Sequence, residues 1–227
     1  MNERGFRYEQ KYLISLQTAI LLQSRLAAIM DVDPHAAGGR YHIRSLYFDD
    51  ADHTAFFSKL NGMDERSKFR IRHYDFCDGF VSLEKKEKIG CLTRKTAVRL
   101  DGLLARQLAS GEVEPEGRNS APLLNEFFML RSMALLRPAV YVDYDRFPFV
   151  CAESHTRITI DANVAAGFTT MELFDRERLT VPVLPEETAI LEIKFDDHLP
   201  AHLVWLMEDI PMQVQAVSKY CLCRDAI

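Results

Sequence analysis

Three short stretches of the chain alternate charged side chains with large apolar ones, where a buried strand would be uniformly apolar. They are Lys68-Phe69-Arg70-Ile71-Arg72, Leu83-Glu84-Lys85-Lys86 and Leu191-Glu192-Ile193-Lys194-Phe195. Because successive side chains of a strand point to opposite faces, each stretch carries one charged face. These faces either meet solvent, as on a half-buried sheet, or point at one another and line a polar interior. A polar interior requires a strongly charged ligand, since unpaired buried charge is costly.

The third stretch favours the polar interior. Its two charged residues, Glu192 and Lys194, are surrounded by Ile190, Leu191, Ile193 and Phe195. A strand this apolar is expected to be buried on both faces, so its charges should be paired or liganded. The same Glu-x-Lys spacing recurs at Glu9/Lys11 and Glu84/Lys86. Carboxylates hold hard divalent cations and lysines meet phosphate, whereas the alternative for each unit is cross-strand ion pairing on an exposed sheet.

Composition limits the class of protein. The 227 residues suit one domain over 1–227, and a net charge of −5 argues against broad nucleic-acid binding. The basic clusters concentrate between Arg66 and Arg99, which suits a compact polyanion. We expect no transmembrane helix and no signal peptide, and we interpret the five cysteines as reduced. These features together predict a cytoplasmic protein.

Hydrophobic periodicity predicts an α+β fold in which an antiparallel sheet closes or nearly closes. The Cys77-Asp78-Gly79 turn makes 67–88 a hairpin. The predicted strands are 6–13, 42–48, 67–75, 79–88, 93–100, 139–147, 157–162, 189–196 and a short 213–219. The predicted helices are 17–30 with Ser15 as N-cap, 122–136 and 202–209, with weaker helical turns at 51–60 and 103–109.

Other chemistry-bearing motifs are absent from the sequence. There is no His-Glu-x-x-His, no Gly-x-x-x-x-Gly-Lys-Ser/Thr loop and no Gly-x-Ser-x-Gly elbow. His42 and His73 are interpreted as ordinary strand residues, and Trp205 as a core residue of a short helix. Arg70 and Arg72 share a face about 6.6 Å apart along their strand, and the arginine fork matches phosphate oxygens. A solvated face with scattered salt bridges is the alternative for this pair.

Seven segments resemble, in chain order, the VTC domain of the triphosphate tunnel metalloenzymes, a superfamily that includes the CYTH proteins. The resemblance covers almost the whole chain. Any single segment is a weak match, but seven in the right order are specific. The segments are Phe6 to Ile14, Ile43 to Asp49, Lys68 to Arg72, Leu83 to Lys86, Arg157 to Asp161, Leu191 to Lys194 and Ser218 to Tyr220.

The resemblance implies an antiparallel eight-stranded β-barrel tunnel flanked by helices. It implies phosphate-binding residues at Lys11, Arg70, Arg72, Lys86, Lys95, Arg146, Lys194 and Lys219, of which Lys11, Arg70, Arg72, Lys86 and Lys219 are assigned as catalytic. It places Mn²⁺ or Mg²⁺ on Glu192, with Glu84 and Glu9 as further metal ligands. Two positions depart from the family pattern. The first motif reads Arg7-x-Glu9-x-Lys11 where hydrolases and cyclases carry a second glutamate, and Ala216 replaces a lysine of the eukaryotic polymerase.

The leading hypothesis is therefore a metal-dependent phosphotransferase that builds inorganic polyphosphate from the γ-phosphate of ATP or another nucleoside triphosphate. Expected partners are the nucleotide and inorganic polyphosphate or pyrophosphate, without nucleic acid, and the resemblance leaves room for a membrane-protein partner in trans. Two alternatives keep the tunnel. One is a tripolyphosphatase or nucleoside triphosphatase with water as acceptor. The other is a noncatalytic sensor of polyphosphate or nucleotide.

Overall fold

The computed structural model describes residues 6–112, 121–170, 172–177, 179–210, 212 and 214–227, and at residue 37 the backbone alone. The strands are β1 (Arg7–Ser15), β2 (Asp31–Val32), β3 (Tyr41–Asp49), β4 (Glu65–Tyr74), β5 (Cys77–Ile89), β6 (Leu92–Leu100), β7 (Arg137–Cys151), β8 (Thr156–Gly167), β9 (Thr180–Pro182) and β10 (Thr188–Phe195). The helices are α1 (Leu16–Ala27), α2 (Thr54–Leu60), α3 (Gly102–Ser110), α4 (Pro122–Ala134), α5 (Ala201–Met207) and α6 (Lys219–Asp225).

Eight strands close into an antiparallel ring. Their order is β7, β3, β4, β5, β6, β1, β10, β8 and back to β7, while the short β2 and β9 extend β7 and β8. Within the described residues, the seam between β6 and β1 is narrow, with two register pairs, Arg7–Thr93 and Tyr8–Leu92. The closed ring confirms the predicted α+β barrel. A ring of this size encloses room for side chains or one small ligand.

The outer face of the ring is apolar and is covered by helices. Phe69 and Ile71 of β4 pack in one cluster with Phe127 of α4. On another side, Leu22 of α1 and Ile193 of β10 share a cluster. Each of these side chains is almost fully buried, and burying one such side chain contributes about 1.5–3 kcal/mol. The apolar faces predicted by strand parity therefore point outward to the helices, which leaves the charged faces for the interior.

Helix α6 packs against one end of the barrel. Tyr220 and Cys223 share an apolar cluster with Val140 and Val142 of β7. The Tyr220 hydroxyl donates to Asp49 at the end of β3, and Asp49 also accepts from the backbone of α2. These contacts fix α2 and α6 beside the end of the barrel where β3 ends and β4 begins.

Capping residues set the helix bounds much as the sequence indicates. The Ser15 side chain accepts from the Thr18 amide at 3.1 Å, so Ser15 is the predicted N-cap of α1. Pro122 occupies the first turn of α4. The backbone N–H that proline lacks would have no intrahelical acceptor at this position, so proline is well tolerated there. In the last described stretch, Ser218 caps α6 through a 3.4 Å hydrogen bond from the Cys221 amide.

Three local predictions are wrong. Within 214–219, only Val214 forms a bridge, with Tyr12, and the Ser218 cap starts a helix where a strand was expected; residue 213 lies outside the described residues. The 67–88 hairpin is confirmed, but its two-residue turn lies at Asp75-Phe76, both with positive φ, as a primed turn requires. Trp205 is 70% exposed, because α5 turns Leu203 and Met207 to the core instead.

None of the helices in the described ranges combines the length and the apolar character needed to cross a membrane.

Candidate active site

Strand parity and register direct the charged faces into the barrel. On β4, Lys68, Arg70 and Arg72 alternate with the outward Phe69 and Ile71. The register then places Lys86 opposite Lys68, Glu84 opposite Arg70 and Lys95 opposite Lys86. On the other side of the barrel, Lys11 lies opposite Glu192 and Glu9 opposite Lys194. The inner wall is therefore built from residues that the alternating pattern and the family resemblance singled out.

The first of three ionic clusters joins β1, β5 and β10. Lys86 Nζ donates to both carboxylate oxygens of Glu9, at 2.7 and 2.6 Å. Lys11 Nζ lies between two carboxylates, 3.1 Å from Glu9 Oε1 and 3.3 Å from Glu192 Oε2. Lys194 Nζ lies 2.5 Å from Glu192 Oε1 and 3.9 Å from Glu9 Oε2. Two of the three Glu-x-Lys units thus meet in one cluster, and Lys86 of the third joins them.

The lysines of this cluster keep its carboxylates ionised. Burial alone would raise the pKa of Glu9, but Lys11 and Lys86 hold it well below its ordinary value. The pKa of Glu192 is also far below its ordinary value, because Lys194 and Lys11 outweigh the effect of burial. Burial lowers the pKa of Lys86 to about 7, with repulsion from Lys11 and Lys194 opposing the attraction of Glu9. Lys86 can therefore gain or lose charge near neutral pH when a ligand changes its surroundings.

The second cluster forms around Glu84, which is 2% exposed. Arg70 donates to Glu84 Oε2 from Nε at 2.7 Å and from Nη2 at 2.5 Å, and its Nη1 donates to the Tyr47 hydroxyl at 2.8 Å. Lys95 Nζ donates to the other carboxylate oxygen at 3.0 Å, and Arg72 Nη1 lies 3.9 Å from Oε2. Burial alone would raise the pKa of Glu84. The pKa is nevertheless well below its ordinary value, because Arg70 and Arg72 stabilise the carboxylate.

The third cluster centres on Asp161, which has no exposed surface. Arg146 binds its two oxygens in a fork, both at 2.7 Å, and Lys219 Nζ lies 2.5 Å from Oδ2. Tyr144 connects this cluster to the second, because its ring lies beneath Lys219 and Arg146 while its hydroxyl accepts from Arg72 at 3.0 Å. The third cluster is also connected to the first, because the charges of Lys219 and Arg146 help to lower the pKa of Glu192.

All eleven residues predicted as site residues lie in these three connected clusters. Sequence reasoning missed Asp161, Tyr47, Tyr144 and the inward Lys68. Asp161 stood in a quoted segment, Arg157-Ile158-Thr159-Ile160-Asp161, as the acidic end of an apolar strand. The spacing of Arg157, Thr159 and Asp161 places the three side chains on one face of the strand. Only the pairing of β8 with β7 and β10 shows that Asp161 faces Arg146.

The interior carries a large excess of positive charge. Among the described residues of the three clusters, with Lys68 added, nine cations face four carboxylates, although the chain as a whole has a net charge of −5. Phosphate oxygens can replace carboxylates as acceptors for lysine and for the arginine fork. The cations are Lys11, Lys68, Arg70, Arg72, Lys86, Lys95, Arg146, Lys194 and Lys219, and the carboxylates are Glu9, Glu84, Glu192 and Asp161.

The donor set fits a hard divalent cation that is completed by phosphate. Glu9 and Glu192 both contact Lys11, and Thr159 Oγ1, opposite Glu192 in the register, is buried without a hydrogen-bond partner. Within the described ranges, no group of three or more His, Cys, Asp or Glu is arranged to hold a metal. Mg²⁺ typically takes one or two carboxylates and completes its shell with water and substrate phosphates. Glu84 lies in a separate cluster, where Arg70 and Lys95 occupy its oxygens.

A further buried polar cluster lies on the outer face of the barrel. Arg44, which is 2% exposed, binds Asp143 through Nε and Nη2. Burial disfavours the charged form of His42, but the Asp143 carboxylate 3.9 Å from Nε2 and a 3.2 Å hydrogen bond from Nδ1 to Asp145 raise its pKa to about 9. Burial lowers the pKa of His73 to about 4, and one of its ring nitrogens lies 3.1 Å from the Leu173 carbonyl. These strand residues stabilise the outer layer and do not reach the tunnel.

A family model described as the VTC domain matches residues 6–227. The chain has no sequence match among curated proteins. HpAC1 from Hippeastrum, assigned as an adenylyl cyclase and described as having a dominant triphosphatase activity, has a similar structure. Its TM-score is 0.56 at 13% identity, covering 97% of this chain and 95% of that one.

Two further solved structures have the same fold. A Bacillus halodurans protein assigned as an adenylate cyclase has a TM-score of 0.51 at 16% identity, covering 91% of this chain and 89% of its own. The PH1819 protein from Pyrococcus horikoshii OT3 has a TM-score of 0.50 at 11% identity, covering 97% of this chain and 100% of its own. At these identities the similarity establishes the fold alone.

Proposed function

The chain belongs to the VTC domain family, and from this premise we propose that it is a metal-dependent phosphotransferase that builds inorganic polyphosphate from a nucleoside triphosphate such as ATP. The observation that carries the proposal is the excess of cations over carboxylates inside a closed barrel. That arrangement favours a compact and highly charged anion over a long duplex or a neutral metabolite. A triphosphate is compact and carries the negative charge that would balance the cations of the interior.

Phosphoryl transfer asks the protein mainly to position reactants and to neutralise charge. In the proposed complex, Arg70 and Arg72 bind phosphate oxygens with guanidinium N–H groups that Glu84 does not hold. Lys11 and Lys86 bind the phosphates from the opposite wall, and Lys219 with Arg146 does so from the β8 side. Because these groups are already held in place by ion pairs, little reorganisation accompanies binding.

Glu192 and Glu9 are the residues that would hold Mn²⁺ or Mg²⁺ together with phosphate oxygens. When bound, such a cation supplies Lewis-acid neutralisation of the phosphates. We assign Glu84 to positioning Arg70 and Lys95, because its oxygens are engaged by those two cations. The acceptor in this proposal is phosphate or the end of a growing chain, which carries its own negative charge, so the reaction needs no dedicated general base.

A second candidate function changes only the acceptor, from the phosphate chain to water. The description of HpAC1, which reports a dominant triphosphatase activity, is the observation in its favour. Against it, the first motif reads Arg7-x-Glu9-x-Lys11 and so provides one carboxylate fewer to activate water. A noncatalytic sensor is the third candidate, and it would bind triphosphate without any turnover.

Product analysis separates the three candidates. The purified chain is incubated with γ-labelled ATP and Mn²⁺, and acid-labile polymer and free phosphate are quantified separately. Polymer as the main labelled product supports the proposal, free phosphate alone supports the hydrolase, and binding without turnover supports the sensor. Glu192→Gln should remove the activity. Glu126→Gln is the matched control, because Glu126 pairs with Lys85 on the outer face.

A further inference from the structure

A small polar cavity lies beside α6, where β3 ends and β7 begins. Its volume is about 250 Å³, and its accessible lining is mostly polar. The polar side chains come from the end of β3, the turn before α2, the start of β7, the segment after β8 and the last turn of α6. They are Asp49, Asp50, His53, Arg137, Thr169 and Arg224. None of these residues belongs to the three ionic clusters of the barrel interior, so the cavity is a second polar site.

Two arginines of this cavity have no acceptor. Within the described residues, neither Arg137 nor Arg224 makes an ion pair or a hydrogen bond. In the barrel interior, by contrast, Arg70 and Arg146 each bind a carboxylate through two nitrogens. The guanidinium fork matches the paired oxygens of an oxyanion. Because water solvates an accessible guanidinium at little cost, this observation becomes informative only together with the neighbouring groups.

His53 adds a buried ring nitrogen to the same lining. Its Nδ1 is buried and has no hydrogen-bond partner in the part of the chain that the structure describes. Buried polar atoms are nearly always paired in folded proteins, so one without a partner beside a cavity points to a missing ligand. A neutral or charged imidazole can present Nδ1–H as a donor. An oxygen atom in the cavity would supply the acceptor that this nitrogen lacks.

The two carboxylates of the cavity differ in what they can still accept. Asp49 is saturated, because its two oxygens accept from three backbone amides and from the Tyr220 hydroxyl. Asp50 Oδ1 accepts from the Thr54 amide at 2.8 Å, and over the described ranges its Oδ2 has no partner. The cavity therefore offers several free donors and, from its carboxylates, one free acceptor oxygen. This combination fits an oxyanion that itself carries one proton.

We propose that this cavity is a binding site for a single hydrogen phosphate ion, independent of the reaction in the barrel interior. Its unprotonated oxygens accept from Arg137 and Arg224, and from the His53 imidazole. The P–OH group donates to Asp50 Oδ2, and the remaining space holds water. Orthophosphate keeps at least one proton at neutral pH, whereas sulfate has none to donate and would place a bare oxygen against the carboxylate. The site should therefore select phosphate over sulfate.

Equilibrium dialysis of the full chain against labelled orthophosphate tests this site without relying on catalysis. The buffer contains EDTA and saturating tripolyphosphate, which competes for the barrel interior, and its ionic strength is held constant. The wild type should bind about one orthophosphate per chain. In the double variant Arg137→Gln/Arg224→Gln, we expect the affinity for orthophosphate to fall about tenfold or more, while the affinity for tripolyphosphate alone stays within about twofold. Because these arginines make no ion pair in the described part of the chain, thermal melting should show the fold retained.

The matched control is Lys85→Gln/Arg94→Gln, which removes the same charge from the outer surface, where both cations pair with Glu87. This control should bind orthophosphate as the wild type does. The site is overturned if the wild type binds no orthophosphate under these conditions. It is also overturned if the double-arginine variant and this control bind orthophosphate equally well.

Competition with sulfate tests the role of Asp50. Sulfate should displace the label from the wild type only at about ten times the concentration of unlabelled orthophosphate that does so, or more. Asp50→Asn keeps an acceptor for the Thr54 amide but adds an amide donor, so its affinities for the two ions should lie within about threefold of each other. Equal displacement by the two ions in the wild type would show unselective anion binding and would overturn the hydrogen phosphate site.

Discussion

Replacing Asp161 by asparagine isolates the charge imbalance of the tunnel. The carboxylate is fully buried and binds Arg146 through two 2.7 Å hydrogen bonds and Lys219 at 2.5 Å. Breaking a buried ion pair by removing one partner costs about 3–5 kcal/mol. Because asparagine keeps one acceptor oxygen, we expect a loss of about 3 kcal/mol in the free energy of unfolding, out of a total of about 5–15 kcal/mol.

The same substitution should make the protein more responsive to polyanions. Tripolyphosphate at about a hundred times its dissociation constant stabilises a folded protein by about 2.7 kcal/mol. In the Asp161→Asn variant, Arg146 and Lys219 have lost their carboxylate, so phosphate oxygens gain two uncompensated partners. Urea unfolding with and without tripolyphosphate, at constant ionic strength, should therefore show a larger ligand stabilisation for the variant than for the wild type.

Asp143→Asn is the matched control for this experiment. It breaks the pair with Arg44, which is as deeply buried but lies on the outer face. It should cost a similar free energy of unfolding and gain no more from tripolyphosphate than the wild type. The reasoning is refuted if Asp161→Asn costs less than about 1 kcal/mol, a loss typical of an exposed pair. It is equally refuted if tripolyphosphate rescues both variants to the same extent.

Two further substitutions probe other parts of the molecule. Glu192→Ala should lower metal-dependent turnover by about a hundredfold or more while thermal melting shows the fold retained, because Glu9 still pairs with Lys11 and Lys194. The pKa of His42 is raised to about 9 in the folded state, so its charged form stabilises the fold fully below pH 6.5, and this stabilisation disappears as pH rises through 9. In the His42→Gln variant, the free energy of unfolding measured in urea should depend less on pH over that window. The expected loss below pH 6.5 is roughly 2 kcal/mol after allowance for solvent screening.

Strand parity was sufficient to predict the charged faces of β4, β5 and β10, whereas Lys95, Arg146 and Lys219 were predicted from the family resemblance. A period of two separates Arg70 from Ile71 on any strand, and the apolar setting of Glu192 indicated that its face is enclosed. What parity cannot provide is the register that pairs one strand with the next. Asp161 was quoted without a role because its partner depends on the register of the hairpin that joins β7 to β8, which places it directly opposite Arg146.

The end of the chain shows where local pattern fails. The β-branched Val214 and Val217 favour a strand, yet Ser218 begins a helix because its side chain caps the Cys221 amide. The approach of Lys59 to Arg66 and Lys88 could not be predicted for a related reason. Lys59 belongs to α2 and comes near these strand residues only after that helix packs beside the barrel end, and no spacing in the sequence records this approach.

A crystal structure with tripolyphosphate and Mn²⁺ would show directly whether the barrel interior binds phosphate and metal. We expect phosphate density inside the barrel in contact with Arg70, Arg72 and Lys219, together with an anomalous Mn²⁺ peak at Glu192. Ligand density confined to the outer surface, with the interior ion pairs of Glu84 and Asp161 intact, would contradict it.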